Sequence, residues 1–123
     1  MASTLTAQVK IDISGITSDP ISVDKTLTAT NIVAGGIKSR SINDTSAAGE
    51  TVISSGDYNA GTMVYLRNAH ASETIFIELS ASTTTIPLAA GQWAFFPWQA
   101  GVSLKAHAAA NTPILEWGIF SAT

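Results

Sequence analysis

The side chains able to do chemistry in this 123-residue sequence are few, and they are scattered. His70 sits in the polar run Asn68-Ala69-His70-Ala71-Ser72, and His107 lies in the alanine-rich stretch that follows Lys105. Nothing in their spacing resembles a zinc pair presented by one element, so both are expected to be surface histidines on separate loops. Asp44, Glu50 and Asp57 lie among glycines, where they could gather around a calcium ion. They lack the regular alternation of oxygen ligands that a calcium loop requires. The sequence has no cysteine, which removes thiol catalysis, disulfides and cysteine-ligated zinc. No phosphate-cradling glycine loop, nucleophile elbow or dinucleotide fingerprint occurs. The expectation is a protein that is not an enzyme and carries no metal or cofactor.

Aromatic rings are the remaining chemistry. Three tryptophans, Trp93, Trp98 and Trp117, invite a sugar platform, because a flat ring stacks on a sugar face. Such a site needs at least one exposed tryptophan with amide or carboxylate side chains beside it. Gln92, Gln99 and Glu116 are the near candidates in sequence. Core or interface packing is the plainer role, since each ring buries a large apolar area once its indole N–H finds a partner.

Composition says what these residues are embedded in. A chain of this length makes one domain with a core large enough to fold without cross-links. Charged residues are 12% of the sequence and hydrophobic ones 46%. Small soluble domains carry about 25% charged residues, so part of this apolar surface is expected to be covered by partner chains. A net charge of -3 without a basic patch argues against nucleic acid and against anionic membrane as partners. No lysine or arginine precedes Lys10 and no apolar stretch opens the chain or could span a bilayer. A soluble protein made in a cytoplasm, without a cleaved secretion signal, is expected.

Period-two patterning then supplies the elements. Leu5, Ala7, Val9, Ile11 and Ile13 alternate with Thr6, Gln8, Lys10, Asp12 and Ser14, the signature of a half-buried strand. Gly15 and the Ser18-Asp19-Pro20 cluster break it. A second alternation follows, with Ile21, Val23, Leu27 and Ala29 on one side, and the two runs are expected to pair or to extend neighbouring sheets. Gly35-Gly36, Asn43-Asp44, Gly49, Gly56-Asp57 and Gly61 predict loops and short strands on one edge across residues 31–61, with at most a turn of helix at Ala47 to Glu50.

From Met63 onward the strands are dense. In Thr74 to Leu79, Ile75, Ile77 and Leu79 face one way and Phe76 the other, toward another chain or toward a covering loop of its own. In Gln92 to Trp98, Trp93 and Phe95 fall on one face and Ala94, Phe96 and Trp98 on the other, so this strand is buried on both sides or ends at an interface. The fold class predicted is all-β: a single-domain antiparallel β-sandwich, jelly-roll-like, over residues 1–123, with residues 1–30 able to exchange strands with a neighbouring chain.

The run Val64-Tyr65-Leu66-Arg67-Asn68, the strand Thr74-Ile75-Phe76-Ile77-Glu78-Leu79, the segment Ile86-Pro87-Leu88-Ala89-Ala90-Gly91-Gln92-Trp93-Ala94-Phe95-Phe96-Pro97-Trp98 and the closing Leu115-Glu116-Trp117-Gly118-Ile119-Phe120 together resemble small virion structural proteins of tailed bacteriophages. The likeness covers roughly the last sixty residues. It implies a capsid decoration, or cement, protein on the virion surface. The implied partners are the major capsid protein and further copies of itself, as a homotrimer. Under it, Phe76, Trp93, Phe95, Phe96 and Trp98 are expected to build core and subunit interfaces, with Arg67 and Glu116 making charge-assisted bonds at strand ends. A tail or fibre-base component, or a carbohydrate-binding module, is the alternative.

Overall fold

The structure, a computed structural model, describes residues 3–13, 21–30, 32–56, 62–79, 85–99 and 101–122. Among them the chain forms ten strands and no helix. They are β1 (Thr4–Ile13), β2 (Ile21–Thr30), β3 (Ile32–Ser41), β4 (Glu50–Ile53), β5 (Thr62–Asn68), β6 (Ile75–Leu79), β7 (Thr85–Leu88), β8 (Trp93–Trp98), β9 (Leu104–Ala108) and β10 (Ile114–Ala122). The two N-terminal alternating runs pair antiparallel as β1 and β2, from Thr4 opposite Thr30 to Ile13 opposite Ile21. The predicted breaker at Gly15 and Ser18-Asp19-Pro20 lies outside the described residues, as do Asp57 and Gly61.

The other eight strands make two four-stranded antiparallel sheets, ordered β3-β10-β5-β8 and β4-β9-β6-β7. The pairs β3–β10, β4–β9, β5–β8 and β6–β7 nest inside one another, as though one long hairpin had been rolled up. This is the strand order of a jelly roll. It leaves the β1–β2 hairpin as an addition that pairs with no other strand among the described residues.

Alternation decides which side chains fill the space between the sheets. From the first sheet come Val64, Leu66, Trp98, Leu115 and Ile119, with Phe96, Ala94 and Trp117 packed against them. From the second come Ile53, Ile75, Ile77, Leu88, Leu104, Ala106 and Ala108. A bulge in β4 sets Thr51 opposite Lys105 and Ile53 opposite Leu104, so Val52 and Ile53 both reach the core from consecutive positions. At the edge shared by β3 and β4, the Arg40 guanidinium donates to Glu50 Oε1 at 2.8 Å and to the Thr51 carbonyl at 3.0 Å. Glu50 Oε2 accepts the backbone N–H groups of Asn43 and Asp44. One carboxylate thus closes the open side of the sandwich and orders the loop between the sheets.

The expectation of loops and short strands over residues 31–61 needs correction. Residues 32–41 form a ten-residue strand that runs through Gly35 and Gly36 and pairs with β10. Glycine reads as a turn signal, but this pair lies opposite Phe120 and Ile119 in an edge strand. The neighbouring Gly118 shows what small size permits here. A Cβ on Gly118 would lie 3.1 Å from the Gly36 carbonyl oxygen and 3.2 Å from both Ile37 and Phe120. Gly118→Ala is therefore expected to cost about 1–3 kcal/mol through overpacking, measured as a lowered urea midpoint with an unchanged slope.

Candidate functional site

The outward face of the first sheet carries an unusual set of side chains. On β5 these are Met63, Tyr65 and Arg67, and on β8 they are Trp93, Phe95 and Pro97, because their neighbours in sequence point into the core. Tyr65 is paired across the ladder with Phe95, and Arg67 with Trp93. Strand β1 lies over this half of the face, and a groove of about 470 Å³ remains between them, lined by Ala7, Gln8, Val9, Tyr65, Arg67, Trp93 and Phe95. Trp93 keeps 54% of its surface exposed. The four aromatic residues of β8 named from the sequence therefore divide: Trp93 and Phe95 face the groove, whereas Phe96 and Trp98 face the core.

Two polar groups of this face are already engaged. The Tyr65 hydroxyl donates to Glu116 Oε1 at 3.0 Å, and on the adjoining hairpin the Gln8 amide donates to Asp24 Oδ1 at 2.8 Å. Arg67 stands directly opposite Glu116 in the β5–β10 ladder, yet it makes no ion pair or hydrogen bond with any described residue. Of the two charged residues named from the sequence, Glu116 makes a charge-assisted bond within the chain, with the Tyr65 hydroxyl as donor, and Arg67 makes none with a described residue. Burial raises the Tyr65 phenol above its ordinary value, and the bond to Glu116 and the charge of that carboxylate raise it further. A raised folded value favours the protonated ring, so its contribution is present at low pH and is lost as pH rises through the folded value. In an absorbance titration Tyr65 should ionise above the usual tyrosine range, and Glu116→Gln should bring it back toward that range.

The second sheet presents a different group outward. Phe76 is half-buried and stacks on His107 with ring centroids 5.0 Å apart and 17° between planes. Glu78, buried, approaches His107 Nδ1 at 3.3 Å, but off the hydrogen-bond direction, so that nitrogen has no aligned partner. His107 is consequently not a loop residue: it occupies β9, where alanines on either side face the core and hide the strand from a hydropathy reading. His70 does lie in the turn after β5. Its Nδ1 accepts the backbone N–H groups of Ser72 and Glu73, so the ring holds that turn in place.

The remaining candidates have structural partners. Gln92 Oε1 accepts the Ala89 N–H, completing the turn in which Gly91 takes φ 77°. Gln99 lines a separate pocket with Leu79, Phe96, Pro97, Trp98 and Val102. Asp44 is bonded by the hydroxyl and N–H of Ser46, which hold its carboxyl below the ordinary value. Among the described residues no three His, Cys, Asp or Glu side chains converge as metal ligands would. β1 brings Ala7, Gln8 and Val9 into one groove with Trp93, a meeting that sequence reasoning missed, because a strand alternation records the face of a residue and not the distant strand it will cover.

Comparison of the chain with protein-family models, with curated proteins and with solved structures finds no match. Any functional reading rests on the residues themselves.

Proposed function

We propose that this protein is a virion structural component of a tailed bacteriophage, a capsid decoration protein that binds the outer capsid lattice and reinforces the junctions between capsomers. The observation that carries the reading is where the apolar surface lies. Of the large hydrophobic residues left exposed outside the groove, Ile37 and Ile114 share the outward face of the first sheet, Ile11 and Leu27 lie on the hairpin, and Leu79 and Ile86 lie on β6 and β7 of the second sheet. A hairpin with both edges unpaired is marginal alone in water, and its apolar face gains by packing on a neighbouring copy or on the capsid. Ile37 and Ile114 lie on the β3–β10 half of the face, away from the groove, and offer a contact surface of their own. Jelly rolls serve viral coats, although the fold alone does not assign a function. Reinforcement would come from many identical contacts, each modest, added over the lattice.

Quantitative mass spectrometry of purified particles tests this directly. A copy number comparable with that of the major capsid protein is expected. A handful of copies would move the chain to the tail or fibre base, and its absence from particles would overturn the virion reading.

A further inference from the structure

The groove between β1 and the β5–β8 face has a composition that capsid contacts do not explain. We propose that it is a binding site for a carboxylated sugar, a uronic or sialic acid unit of a glycan. Of the seven lining residues Arg67 alone is charged, and among the described residues its guanidinium has no partner although Glu116 stands opposite it in the ladder. An unpaired guanidinium presents a planar fork of donors that matches a carboxylate. Beside it in the β5–β8 ladder stands Trp93, more than half exposed, whose indole face suits the C–H face of a pyranose ring. Across the groove, β1 contributes Ala7, Gln8 and Val9 to its wall.

The volume of about 470 Å³ lies within the range of small-ligand sites, where a few placed polar groups interrupt an aromatic lining. The inference does not depend on the virion reading, because copy number in particles and sugar binding by the isolated chain are separate measurements.

The test is titration of the full chain with 3′-sialyllactose and with trigalacturonate, each against a neutral counterpart, lactose and maltotriose, followed by tryptophan fluorescence and calorimetry. At least one acidic sugar should bind with a dissociation constant of roughly 1 mM or tighter, and its neutral counterpart should bind more weakly. Arg67→Gln, an exposed change that leaves the core intact, should weaken binding about tenfold or more. Trp93→Ala should abolish the fluorescence change, and Ala7→Phe should block the groove while Arg67 and Trp93 remain. Failure of both acidic sugars to bind the wild type would overturn the proposal, as would equal binding by the neutral ones or by Arg67→Gln. Protection of Trp93 from acrylamide that grows with protein concentration would also overturn it, by placing a second copy in the groove.

Discussion

Asn68→Ala is expected to lower the unfolding free energy by about 3–5 kcal/mol, because it strands several buried polar groups at once. Asn68 is fully buried at the end of β5. Its Nδ2 donates to the carbonyls of Glu73 at 2.6 Å and Leu88 at 2.8 Å, and its Oδ1 accepts the His70 N–H at 3.0 Å. Its backbone N–H and carbonyl bond to Gln92 and Gly91. One side chain therefore ties the β5–β6 turn to the end of β7, and its main chain ties both to the β7–β8 turn. Asn68→Asp keeps the shape but sets a carboxylate against two carbonyl oxygens, so it should be as damaging as alanine. Urea unfolding of both variants is the measurement, and a loss below about 1 kcal/mol in either would show that water replaces the side chain without cost.

The second large effect separates two tryptophans five residues apart. Trp98→Ala removes a ring only 6% exposed, part of the hydrophobic core between the sheets, and should cost about 3–5 kcal/mol. Trp93→Ala removes a ring that is 54% exposed on the opposite face and should change stability by about 0.5–1 kcal/mol. Equilibrium unfolding of the two variants gives the difference. Equal losses would mean that the hairpin and the β8 face are far more tightly joined than an open groove allows.

That division of β8 was legible from alternation alone, because adjacent residues of a strand must point to opposite faces. The same logic placed Phe76 opposite Ile75 and Ile77, and marked the two N-terminal runs as strands without deciding whether they pair or extend neighbouring sheets. It failed where side chains are too small to announce a strand: Gly35 and Gly36 run through β3, and Ala106 and Ala108 flank His107 in β9. It also failed where the informative fact is a meeting of distant segments. Neither the meeting of β1 with the Trp93 side of β8 in one groove nor the choice of Tyr65 over Arg67 as the partner of Glu116 has any local signal. Sequence patterns name the faces; the rolled ribbon decides which faces meet.

Residue 31 alone separates the end of β2 from the start of β3. The eight-stranded jelly roll closes without help from the hairpin, so the roof of the groove and its floor answer to different constraints. Substitutions in β1 can reshape what the groove admits while the β5–β8 floor, bound to the core through every second residue, stays fixed. For an evolving lineage this makes the hairpin the segment most free to vary: the roof of the groove can drift without disturbing the fold beneath it.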